Sequence, residues 1–136
     1  MELKSLDITI QNLIQAAVKA KDQAYCPYSS FRVGAAVLCE NDSIVSGCNV
    51  ENASYGLCVC AERVAIWRAV AEGHKTFRAC AGDFKASCGA CRQVFAEFNM
   101  DLDLYMVKPD MTVKKVTIRE LLPMAFTPED LKKERI

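Results

Sequence analysis

Histidine is almost missing from this chain: His74 is the only one in 136 residues. It follows Gly73, which reads as a helix stop. A lone imidazole there is ordinarily solvated surface, so a metal centre would have to draw on other ligands. An excess of charge of one sign is missing too. Lysine plus arginine and aspartate plus glutamate both number 17. Without a basic excess or stripe there is no electrostatic footprint for a nucleic-acid backbone. No apolar run approaches the roughly 18–20 residues of a membrane helix. Glu2, Lys4 and Asp7 stand where a signal peptide would have its apolar core. The expectation is a protein of the reduced cytoplasm, with neither membrane nor nucleic acid among its partners. Internal repeats, low-complexity segments and linkers are also lacking. The length suits one compact domain, residues 1–136, and not two.

Cysteine, by contrast, is plentiful, with eight in the chain. In a reduced compartment that number points to metal binding or catalysis more than to disulfides. Cys39, Cys48 and Cys80 lie in apolar, strand-like runs and read as small hydrophobes, while Cys26 and Cys58 have no clear assignment. The remaining three fall in two short segments, CAER at 60–63 and SCGACRQ at 87–93. Thiolates from Cys60, Cys88 and Cys91 can hold zinc and leave its fourth position to water, the pattern of a catalytic site. Glu62 can take a proton from such a water. In mid-helix, residues two apart point roughly 200° apart, from 3.6 residues per turn. Cys60 and Glu62 can therefore serve one site only if Cys60 sits at the very start of its helix. Two other arrangements use the same residues. Cys58, Cys60, Cys88 and Cys91 could form a closed structural site, and Cys88 with Cys91 could be a redox pair. Hydrophobic residues make up 51% of the chain, high for this length, which suits a buried contact between subunits.

Periodicity and punctuation give the elements. A first helix is expected over 9–24 with Thr9 as N-cap, ended by Pro27. A hairpin follows, with strands at 31–38 and 44–50, and Asn49 and Glu51 alternate so that both can face one side. Helices are expected at 60–72 and 88–98, with strands at 77–82, 102–107 and 112–116. Thr117 to Glu120 forms a capping box for a short helix ended by Pro123. Thr127 and Pro128 open a last one. The order α-β-β-α-β-α-β-β-α implies an α/β fold: one mixed sheet with helices on both faces.

The two cysteine segments match the zinc deaminase signature of Cys-x-Glu followed by Cys-x-x-Cys. With YSSFRVGAA at 28–36, GCNVENA at 47–53 and LLPMAF at 121–126, the chain resembles cytidine deaminase over about residues 25–134. The resemblance implies a three-layer α/β/α cytidine deaminase-like fold with a five-stranded mixed sheet, one Zn2+ per subunit, and a homotetramer. It implies hydrolysis of cytidine and 2′-deoxycytidine in pyrimidine salvage, with Glu62 as the catalytic proton carrier and Cys60, Cys88 and Cys91 as metal ligands. Arg63 would hydrogen-bond the ligand thiolates and offset their charge. Phe31 and Ala61 would line the nucleoside pocket, Asn49 and Glu51 would hold a ribose hydroxyl, and Tyr55 and Phe126 would complete a neighbour's pocket. Related deaminases acting on blasticidin or on nucleic acid share the fold; the neutral charge and the Asn49–Glu51 pair favour a free nucleoside. The chain departs from the family in having Ser87 where proline is usual, a loop at 83–87 about three residues short, and Met124 in place of a small residue.

Overall fold

A computed structural model of the chain describes residues 1–83 and 87–133. The short 83–87 loop therefore lies mostly outside the described residues. Helix α1 spans Ile8–Ala20. Its N-cap is Asp7, whose side chain accepts a hydrogen bond from the Thr9 N–H at 2.7 Å. The expected cap at Thr9 is thus two residues late: an aspartate lies before it and satisfies an orphan donor of the first turn. The helix also ends earlier than expected, and a 3-10 turn at Lys21–Gln23 carries the chain onward.

Strands β1 (Gly34–Cys39) and β2 (Ile44–Cys48) form an antiparallel hairpin. β1 starts three residues later than expected. The Asn49 side chain takes up the Phe31 carbonyl and the Val33 N–H, so this stretch is bonded by a side chain and not by a strand ladder. Then come α2 (Ala61–Ala71), β3 (Phe77–Asp83), α3 (Gly89–Phe98), β4 (Asp103–Val107), β5 (Val113–Thr117) and α4 (Ile118–Leu121). Thr117 and Glu120 close the expected capping box on α4. The expected last helix is a 3-10 turn, Pro128–Lys132, capped by Thr127 and Asp130.

The sheet order is β2-β1-β3-β4-β5, with β3 and β4 parallel and the other neighbours antiparallel. Alternation along the strands sorts side chains to two faces. Ala36, Leu38, Ala79, Ala81 and Tyr105 meet Leu13, Ile14 and Ala17 of α1. Val37, Cys39, Cys80, Leu104 and Met106 meet Ala65, Ile66 and Ala69 of α2 and Phe95 of α3. Three layers result, and each large side chain buried there contributes roughly 1.5–3 kcal/mol. Two glycines let the helices come close. A Cβ on Gly34 would lie 2.1 Å from the Ala17 carbonyl oxygen of α1, and one on Gly47 would lie 2.4 Å from the Ala65 nitrogen of α2.

This topology places the site. β2 and β3 are both antiparallel to β1 and so run the same way. Their carboxyl ends share one edge of the sheet, and each leads into a helix, α2 or α3, that starts at that edge. Ligands of open α/β sheets bind outside the carboxyl ends of the strands.

Candidate active site

The two helix starts bring the three cysteines together. Cys60 is the N-cap of α2, with extended φ/ψ of −68° and 152°. Cys88 is the N-cap of α3, at −66° and 164°. Neither side chain caps its own helix, which leaves both sulfurs free to point elsewhere. Cys91, one turn into α3, is fully buried. Cys60 Sγ lies 3.7 Å from Cys88 Sγ, and Cys88 Sγ lies 3.5 Å from Cys91 Sγ. All three sulfurs fall within 4.8 Å of one another. Because Cys60 is outside the helical geometry, Glu62 can share its site: Glu62 Oε2 accepts from Cys91 Sγ at 3.4 Å.

These distances suit a metal. Tetrahedral Zn–S bonds of about 2.3 Å put neighbouring sulfurs roughly 3.8 Å apart. Both helix N-termini aim partial positive charge at the thiolates. The Cys91 thiol, the Arg63 guanidinium and the Cys88 thiol together hold the Cys60 thiol down to about 5, against burial that pushes it up. Arg63 Nη2 donates to Cys60 Sγ at 3.4 Å. Cys58 is not a fourth member of the cluster. Its sulfur accepts from the Asn52 N–H at 3.3 Å, so the closed four-cysteine arrangement is not formed.

Glu62 is 8% exposed, and burial is the main cause that pushes its carboxyl above the usual range. Gly82 gives it room: a Cβ there would come within 3.2 Å of Glu62 Oε1. In front of it lies a cavity of about 300 Å³, at the small end of the range for small-molecule sites. Of the residues expected in a pocket, Phe31, Asn49, Glu51, Cys60, Ala61, Glu62 and Cys88 line it. Glu51 accepts from the Tyr28 and Ser29 N–H groups at 3.0 and 3.1 Å and from the Ser29 hydroxyl. The Ser29 hydroxyl leads in holding its carboxyl below the ordinary value. Asn49 is already bonded at both ends of its amide, 2.9 Å from the Val33 N–H and 2.8 Å from the Phe31 carbonyl. It braces the pocket wall as well as facing the cavity.

Two expected residues are not in this cavity. Tyr55 is 74% exposed and stacks edge-on against Tyr28 with ring centroids 6.0 Å apart. Phe126 is also exposed, its carbonyl accepting from Gln93 Nε2 at 2.8 Å. Val33, Cys58 and Val59 line the cavity without having been singled out as pocket residues; Asp83 and Ser87, the two ends of the loop noted above as short against the family, line it too. Asp83 carried a usable signal, since it ends β3 at the binding edge.

A parallel-antiparallel sheet between helical layers, with three thiols and a buried carboxylate at two helix starts, defines the class of zinc-dependent base deaminases. The profile of the cytidine and deoxycytidylate deaminase zinc-binding region matches residues 8–106, and the chain belongs to this family. It is 44% identical over 128 residues to the cytidine deaminase of Sporosarcina psychrophila, covering 90% of this chain and 94% of that one. It is 46% identical over 128 residues to a probable cytidine deaminase of Dictyostelium discoideum, covering 90% and 86%. Among solved structures, the cytidine deaminase of Burkholderia pseudomallei superposes with a TM-score of 0.81 at 44% identity, over 85% of this chain and 97% of that one. That of Mycobacterium tuberculosis gives 0.77 at 37% identity, over 88% and 98%.

Proposed function

We infer that this chain is a zinc-dependent cytidine deaminase, which hydrolyses cytidine and 2′-deoxycytidine to uridine and 2′-deoxyuridine with release of ammonia. The observation that carries this reading is the trio of thiols at two helix starts, with buried Glu62 hydrogen-bonded to one of them in a nucleoside-sized cavity. Cys60, Cys88 and Cys91 hold one zinc ion per subunit. Zinc held there supplies a Lewis acid and lowers the pKa of a water. Glu62 takes the proton of that water on a carboxylate oxygen as the water's oxygen adds to C4 of the base. It delivers the proton to N3 and then assists protonation of the leaving amine. Burial of the carboxyl suits it to both roles, since a raised pKa brings it nearer the operating pH.

Phe31 and Ala61 bound the space for the base and sugar, and Asn49 and Glu51 hold a ribose hydroxyl. Tyr55 and Phe126 complete the pocket of a neighbouring subunit in a homotetramer. The whole of 1–136 works as one domain, in the cytoplasm, in pyrimidine salvage. Among the described residues no helix is long and apolar enough to cross a membrane.

Glu51 decides the substrate class. A carboxylate at the sugar end accepts a hydroxyl but repels a phosphate. Ammonia release from cytidine, 2′-deoxycytidine and CMP at equal concentration tests this. Both nucleosides should turn over, and CMP should be distinctly slower, because its phosphate would face the Glu51 carboxylate. Comparable rates on CMP would remove Glu51 from this role.

A further inference from the structure

A second cavity lies at the same edge of the sheet as the thiol cluster, but on the α1 side, where Val18 and Met111 pack. It measures about 380 Å³, against about 300 Å³ in front of Glu62. β3 and β4 are parallel, with Asp83 opposite Val107, so their carboxyl ends lie side by side. Gly82 and Val107 from those ends line the cavity. Ligands of open α/β sheets bind outside such ends.

Its wall combines two chemistries. Val18, Phe31, Val107, Pro109 and Met111 are apolar. Lys21, Arg32 and Lys108 are cations, and they come from three separate stretches: the C-cap of α1, the segment before β1 and the turn between β4 and β5. None of the three enters a salt bridge among the described residues, whereas Arg68, Arg78, Lys115 and Arg119 all do. The opposing charges are one carboxylate, Asp83, and roughly half an elementary charge at the carboxyl end of α1. The wall is positive on balance, and an anion seated in it offsets the repulsion among its cations. We propose that this cavity binds a small organic phosphate. The phosphate sits among Arg32, Lys21 and Lys108, and an apolar or aromatic body lies against Phe31, Pro109 and Met111. A guanidinium fork matches two phosphate oxygens at once, and the ammonium groups add point charges. Phe31 lines both cavities, so the ligand touches a wall that the two share.

Calorimetry on the zinc-loaded protein tests this with three probes: phenyl phosphate, phenol and inorganic phosphate. Phenyl phosphate should bind once per chain, about tenfold more tightly than either of the others, and more weakly as salt is raised. In the double variant Lys21→Gln/Lys108→Gln its affinity should fall by about tenfold or more. Neither lysine lines the cavity in front of Glu62, so zinc content and cytidine turnover should be unchanged. Arg32→Gln, made separately, should show the same loss of phenyl phosphate, which keeps the test decisive if the double variant melts early. Three results would overturn the proposal. One is no binding by the unsubstituted protein at millimolar phenyl phosphate. Another is binding that these substitutions leave intact, as expected of phosphate on the metal. The third is inorganic phosphate bound as tightly as phenyl phosphate, which would mark an adventitious ion only. Binding is read without turnover, so its failure and failure of the deaminase reading are separate results.

Discussion

In the proposed site, Arg63 is the cation that bears on the charge of the thiol cluster. Three thiolates around Zn2+ sum to minus one, which opposes ionisation of a bound water. The guanidinium 3.4 Å from Cys60 Sγ offsets that charge, and its central carbon lies 6.0 Å from the Trp67 ring centroid, a cation–π contact that helps hold it there. Replacing it should be costly, since partners behind metal ligands are worth about 10–100-fold in affinity or activity. Arg63→Gln should fall in that range for zinc affinity or kcat/KM. The sign of the pH effect follows from Cys60. Without the cation its thiol pKa rises, protons compete better with metal, and the pH at which half the zinc is released moves up. A chelator titration across a pH series measures that midpoint, and an unmoved midpoint would contradict this role. At this scale Cys60, Cys88, Cys91 and Glu62 could be grouped in advance because their spacing matches the family signature, and the structure brings the four side chains together. Asn49 was only half legible. Its alternation with Glu51 placed it on the cavity, but its two backbone bonds depend on where residues 31–33 fold back. Ser87 was visible only as a departure from the family, since the hydrogen bond its carbonyl accepts from Arg92 Nε at 2.8 Å is a tertiary fact.

The two helix starts are the elements that make a site from these residues. Spacing alone set the condition that Cys60 precede its helix, and its extended backbone meets that condition. What spacing could not give was the juxtaposition of α2 with α3, which comes from β2 and β3 ending at the same edge. Boundaries were the weaker part. Asp7 outcompeted Thr9 as a cap, and a side-chain brace replaced the first rungs of β1. Gly34 and Gly47 separate stability from function at this scale. Both admit a helix backbone to contact, but only α2, packed on Gly47, carries Cys60 and Glu62. Gly34→Ala and Gly47→Ala should each destabilise by about 1–3 kcal/mol, read from denaturant midpoints. Only Gly47→Ala should also lower kcat and zinc content in the folded fraction. Equal kcat in the two variants would mean that the helix can shift without disturbing the site.

Over the whole molecule, the unexplained feature is apolar surface. Tyr25, Tyr28, Phe31, Tyr55, Leu57, Phe126 and Met124 are all more than half exposed in the single chain, at 51% for Tyr28 up to 102% for Met124. Exposed apolar side chains mark an interaction site where they are contiguous, and Tyr28 and Tyr55, with ring centroids 6.0 Å apart, are in contact. The proposed homotetramer would cover it, and sedimentation should then give a species four times the 15.1 kDa of the chain. A monomer at micromolar concentration would leave the Tyr55 and Phe126 assignments without a neighbour to serve. The reaction itself has the most direct test. The ultraviolet change as cytidine becomes uridine should be followed for the unsubstituted protein and Glu62→Gln, with zinc measured in both. The expected result is turnover by the first and retained zinc with at least about a hundredfold slower turnover by the second, the worth of a positioned proton carrier. Zinc-loaded protein that leaves cytidine and 2′-deoxycytidine unchanged, or a Glu62→Gln variant as fast as the parent, would contradict the account.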